Sequence, residues 1–61
     1  MALTPKEMIK LLEANGFYKV RQKGSHAMYR NPNTNRQVTV PMHAKDLPLG
    51  LEKAIKKQAG I

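Results

Sequence analysis

Two histidines, His26 and His43, are the side chains in this 61-residue sequence best suited to moving a proton near neutral pH. Imidazole is the one side chain whose unperturbed pKa lies there. His26 follows a Gly-Ser pair inside "KGSHAMYR", Lys23 to Arg30. In such a setting it can take a proton from an RNA 2′-hydroxyl or return one to a leaving oxygen. Cations beside it, Lys23 and Arg30, can hold a phosphate and stabilise charge as it develops. The ordinary alternative is a structural or solvated strand histidine. His43, in a loop further along, is the lesser candidate.

Other chemistries find less in the sequence. A two-metal nuclease needs several converging acids, and the four carboxylates, Glu7, Glu13, Asp46 and Glu52, show no ligand spacing. They read as caps, intrahelical salt-bridge partners or favourable charges near helix starts. With no cysteine there is neither a disulfide framework nor a thiolate zinc site. No metal or other cofactor is expected. Ser25 adjoins His26, but neighbouring side chains on extended backbone point to opposite faces, so a Ser-His nucleophile is not expected and a turn serine is. The four glycines form no phosphate-cradling pattern.

The elements that must position His26 follow from patterning. "TPKEMIKLLEANG" has Thr4 as a cap, Pro5 at the first helical position and Glu7 three residues after Thr4, the arrangement of a capping box. Met8, Ile9, Leu11 and Leu12 recur at helical spacing, Gly16 ends the helix in a left-handed conformation, and Phe17 folds back onto its last turn. From Phe17 to Lys23 the pattern alternates, predicting a strand with Tyr18 and Val20 on one face and Lys19, Arg21 and Lys23 on the other. Gly24-Ser25 makes a tight turn, and His26 to Arg30 is a second strand. "NPNTN", Asn31 to Asn35, is a loop, and Arg36 to Val40 a third strand that Pro41 ends. In the second strand either Ala27 and Tyr29 or His26, Met28 and Arg30 could face the core; His26 is accessible in both arrangements. The tail "KDLPLGLEKAIKKQAGI" predicts a second helix starting near Asp46 or Pro48, with Leu47, Leu51, Ala54, Ile55 and Gln58 to Ala59 as its apolar stripe. Two helices on one face of a three-stranded antiparallel meander give an α+β fold, αβββα, with the other sheet face open.

Length and charge set the remaining bounds. A chain of 61 residues is read as a single domain, 1–61, hiding only roughly 60% of the surface its unfolded chain exposes. A core of that size rarely supplies more than about 3–5 kcal/mol, which makes a partner or self-association an expectation. Eleven Lys and Arg against four Asp and Glu leave a net charge of +7, so polyanions are the natural partners: nucleic acid first, then an acidic protein, then a membrane surface. No apolar run approaches the ~18 residues of a membrane span. "MALTPKEMIK" lacks the apolar core of a signal peptide, so a cytoplasmic location without membrane insertion is expected.

Taken together, "LTPKEMIKLLEANGF", "QKGSHAMYR", "VTVPMHAKDL" and "AIKKQAGI" resemble, in order and over essentially the whole chain, the HicA toxins of bacterial and archaeal toxin-antitoxin systems. The resemblance implies a double-stranded-RNA-binding-domain-like fold, metal-independent cleavage of mRNA, and silencing by a HicB-type antitoxin through which an oligomer could form. It implies that His26 matches the family's catalytic histidine, with Gly24 and Ser25 in their usual places. Ala27 stands where many members carry a second histidine, and Gly50-Leu51 where many carry Gly-Thr at the second helix. Under this reading Lys19, Arg21, Lys23, Ser25 and Arg30 bind RNA while His26 acts as general base on a 2′-hydroxyl. Tyr29, His43, a lysine or water could serve as the acid. The alternatives are a non-catalytic RNA-binding module and a basic docking partner for an acidic protein.

Overall fold

The computed structural model describes residues 3–43 and 45–61. Met1 and Ala2, in the segment read for a leader, and Ala44, in the loop after His43, lie outside them. The order is α1 (Pro5–Ala14), β1 (Tyr18–Lys23), β2 (His26–Arg30), β3 (Gln37–Pro41) and α2 (Leu49–Ala59). The three strands form one antiparallel sheet in the order β1-β2-β3. This is the αβββα, α+β architecture expected from the patterning, and it is consistent with the double-stranded-RNA-binding-domain-like type.

Both ends of α1 are as the sequence requires. The Thr4 hydroxyl accepts from the Glu7 N–H while the Glu7 carboxylate accepts from the Thr4 N–H, a complete capping box. At the other end the Phe17 N–H reaches the Leu12 carbonyl and the Gly16 N–H the Glu13 carbonyl, with Gly16 at φ +90°. That is a Schellman motif, and its usual apolar contact is present because Phe17 and Leu12 both belong to the core. The core also takes Met8 from α1, Ala27 and Tyr29 from β2, Val38 and Val40 from β3, Leu47, and Ile55 and Ala59 from α2. Ala27 and Tyr29 thus point inward, which settles the two arrangements left open for β2.

In β1 the alternation expected from the sequence is broken. Lys19 pairs with Tyr29 but Arg21 pairs with Met28, so one residue, Val20, is extra and the register shifts across it. Residues directly opposite share a face, and the bulge therefore puts Lys19 and Gln22 on the helix side and Arg21 and Lys23 on the open side. The Lys19 ammonium donates to the Gln22 side-chain oxygen at 2.8 Å, as residues of one face should. No residue of β1 is buried, and Tyr18 and Val20 are exposed. Their apolar character suggests a covered face, but Tyr18, opposite Arg30, lies on the open side, Val20 is the extra residue of the bulge, and the helices pack mainly against β3.

The stripe on α2 also differs from expectation. Leu51, Ala54 and Gln58 are exposed, and the buried set is Glu52, Ile55 and Ala59. Glu52 turns inward because it has donors to satisfy: its carboxylate accepts the Leu3 N–H at 2.8 Å and pairs with the Lys56 ammonium at 3.3 Å. The Leu3 N–H, the larger influence, and Lys56 hold this carboxyl below the ordinary glutamate range, with burial opposing them. Beside it the Leu47 N–H donates to the Leu3 carbonyl, so the N-terminal segment is tied to α2 and the loop before it. The helix starts at Leu49 after Pro48, without a side-chain cap, and ends at Gly60 in the left-handed conformation. The Arg36 guanidinium donates to the Gln58 carbonyl near that end, where the helix dipole favours a cation.

Candidate active site

His26 opens β2 immediately after a two-residue turn. Gly24 has φ +57° and Ser25 has no positive φ, the pattern of a II′ hairpin turn, which takes glycine first. A Cβ at Gly24 would meet no atom within 4 Å, so glycine is required there by backbone conformation and not by space. The turn brings Lys23 directly opposite His26, and on the other side His26 pairs with Pro41. That pair is a non-hydrogen-bonded one on an edge strand, so the missing N–H of Pro41 costs the ladder nothing. The Met42 N–H makes the next rung to the Ser25 carbonyl, and the chain after β3 thereby stays against the turn.

The consequence is a second imidazole. The His43 Nδ1 and the Ser25 hydroxyl are in hydrogen-bond contact at 3.0 Å. The His43 ring centroid lies 5.9 Å from that of His26, edge to face at 70°. Ser25 is thus a turn residue as expected, but its side chain engages His43 and not His26. The contact spans residues 18 apart, and no local pattern in the sequence announces it.

Two shallow hollows meet at His26. Lys23, Gly24, Ser25, Met28 and Thr39 line one with it; Thr39, Pro41, His43, Pro48 and Leu51 line the other. The first has a cation, and the second is apolar apart from Thr39 and the imidazoles. Exposed Leu51 therefore belongs to the rim of this second hollow and not to the core.

Of the other residues singled out from the sequence, Arg21 and Arg30 lie on the same open face as His26, paired with Met28 and Tyr18. The Arg30 guanidinium donates to the Asn35 side-chain oxygen at 2.6 Å. Lys19 is on the opposite face, beyond the bulge. Tyr29, considered as an acid, also faces away from His26. Its hydroxyl is pushed above the ordinary phenol value, first by burial and then by the Glu13 charge. Ala27 is buried on the helix side, so a histidine at that position would not share the face of His26.

The electrostatics of the region are one-sided. No Asp or Glu occurs between Glu13 and Asp46, the stretch that contains the whole sheet and both histidines. The ion pair formed among the described residues, Lys56 with Glu52, lies on α2. Among the described residues no three His, Cys, Asp or Glu side chains gather to hold a metal ion. No helix among them is long and apolar enough to cross a membrane.

Fold and site together define a small basic αβββα domain whose uncovered sheet face carries an exposed histidine beside a cation. A protein-family model for the HicA toxin of bacterial toxin-antitoxin systems matches residues 5–61, and the chain belongs to that family. It is therefore a toxin of a toxin-antitoxin pair, with an antitoxin as its partner. Comparison with curated proteins returns no match.

Proposed function

We propose that this toxin is a metal-independent endoribonuclease that cleaves mRNA, with His26 as the general base on the 2′-hydroxyl next to the scissile phosphate. The observation that carries the reading is the position of His26: exposed at the start of a strand, directly opposite Lys23, on the sheet face the helices leave uncovered. The core residues Ala27 and Tyr29 hold that strand from behind, so the imidazole is presented on a rigid element. Lys23, Arg21 and Arg30 supply the charge that gathers the phosphate backbone on the same face. Lys19, on the far side of β1, contributes through the net field more than through contact. Attack by the 2′-oxygen leaves a 2′,3′-cyclic phosphate and a 5′-hydroxyl.

A HicB-type antitoxin silences such a toxin most simply by setting carboxylates against Arg21, Lys23 and His26, where the chain has none of its own. Any toxin–antitoxin oligomer would form through that contact, in the cytoplasm where mRNA is met.

The test is cleavage of end-labelled single-stranded and structured RNA in EDTA at near-physiological salt. Cyclic-phosphate products that vanish when a stoichiometric HicB-type antitoxin is added are the expected result. Products with a 3′-hydroxyl and 5′-phosphate would contradict the mechanism, and salt-resistant binding without scission would make the domain an RNA-binding module instead.

A further inference from the structure

A base at the 2′-hydroxyl is half of the reaction, because the leaving 5′-oxygen must also be protonated. We propose, resting on the ribonuclease reading, that His43 is a second catalytic residue, the general acid for that oxygen, and that Ser25 is the residue that positions it.

Attacking and leaving oxygens lie roughly in line on opposite sides of the phosphorus, so base and acid must flank one phosphate. A proton-transfer group works within about 3 Å of the oxygen it serves. Two rings with centroids 5.9 Å apart, lining one hollow, both reach oxygens of a single phosphodiester there. The other proton donors considered from the sequence do not offer this. Tyr29 is buried on the opposite face, and Lys23 lines the other hollow.

The hydrogen bond to Ser25 decides which nitrogen acts. With Nδ1 occupied by the Ser25 hydroxyl, Nε2 is the nitrogen left for substrate. In the imidazolium form Nδ1–H donates to Oγ of Ser25, and Nε2–H is the acid. The step then balances. The 2′-oxygen bonds to phosphorus as its proton passes to the neutral His26 ring. The P–O5′ bond breaks, its electron pair stays on O5′, and O5′ takes the Nε2 proton of His43. The products are a 2′,3′-cyclic phosphate and a 5′-hydroxyl, with His26 now protonated and His43 neutral; exchange with water restores both. Ser25 is held for this task twice, since its carbonyl also accepts the Met42 N–H.

The decisive comparison uses two substrates identical except at the linkage the native protein cuts: one with the natural 5′-oxygen, one with a 5′-bridging sulfur. A thiolate leaves without protonation, so only the natural substrate needs an acid. For His43→Ala, and for His43→Gln as a second variant of different shape, cleavage of the oxygen substrate falls about 10²–10⁴-fold, the usual range for a general acid. With the sulfur substrate the loss shrinks to under about tenfold on the same grounds. Ser25→Ala shows a smaller loss with the same dependence on the leaving group. His26→Ala is slow on both substrates. Equal losses on both substrates for the two His43 variants, with unchanged unfolding midpoints, would overturn the acid role, as would native rates. Failure of the native protein to cleave either substrate would instead overturn the ribonuclease reading itself, and this assignment with it.

Discussion

The two faces of β2 hold residues from one stretch of five, His26–Arg30, and meet opposite environments. Ala27 and Tyr29 are sealed against α1, β3 and α2, whereas His26 and Arg30 are exposed and Met28 is half-buried. The closed face is apolar and filled from every other element except β1. The open face has cations and imidazoles, and the stretch that forms the sheet, between Glu13 and Asp46, holds no Asp or Glu. Period-two alternation thus lets one short strand serve as the centre of the core and as a platform for charge. In a domain this small, the rigidity of the platform derives from the residues on its other side.

Breaking the closed face should have the largest effect. Tyr29→Ala removes a buried aromatic and costs about 3 kcal/mol or more, most of what a core of this size supplies. Denaturant unfolding would show little folded population left. Arg30→Ala, one position along on the open face, should stay within about 0.5 kcal/mol of the native chain.

The turn that joins the two functions is the next weak point. Gly24→Ala forces a side chain into φ +57° and should cost about 1 kcal/mol, read as a lower unfolding midpoint. Because the same turn carries Ser25 and His26, cleavage should fall by more than the folded fraction does.

A smaller effect separates the core from the open face by pH. Glu52 is held below the ordinary glutamate range when folded and returns to it when unfolded. A depressed carboxyl contributes stability above its unfolded value and loses it as pH falls through the folded one. Unfolding midpoints of the native chain should therefore drop below about pH 4.3, and those of Glu52→Gln should start lower and drop less. Equal slopes for the two would show that Glu52 is not the group responsible.

The smallest effects distinguish the two sides of β1. Lys23→Gln should reduce the salt slope of RNA binding by about 1, as loss of one phosphate contact does. Lys19→Gln, on the other side of the bulge, should change it by clearly less. Equal changes would place RNA around the strand edge and not across the open face.

Much of this arrangement is legible in the residues alone. The capping box, the Gly16 stop and the alternation of Val38 and Val40 are local patterns with local causes, and they fix α1 and β3 closely. The place of His26 at the start of β2 is recoverable because a Gly-Ser turn precedes it within eight residues, "KGSHAMYR". Three features escape such reading. The bulge at Val20 hides because Tyr18 and Val20 alternate as covered residues would, and only the pairing with β2 shows Tyr18 on the open side and Val20 left out of the register. Glu52 is buried by the backbone N–H of Leu3, 49 positions away, so counting apolar residues selects Leu51 in its place. His43 reaches Ser25 because the Met42 N–H carries the β2–β3 ladder on to the Ser25 carbonyl. Each depends on a contact distant in sequence.

The most direct test of the account puts activity and stability on one sample. His26→Ala should cleave RNA in EDTA at least about 10²-fold more slowly than the native chain, while its unfolding free energy stays within about 0.5 kcal/mol. Cleavage that persists at the native rate, or that disappears only because the variant unfolds, would contradict the assignment of chemistry to the open face.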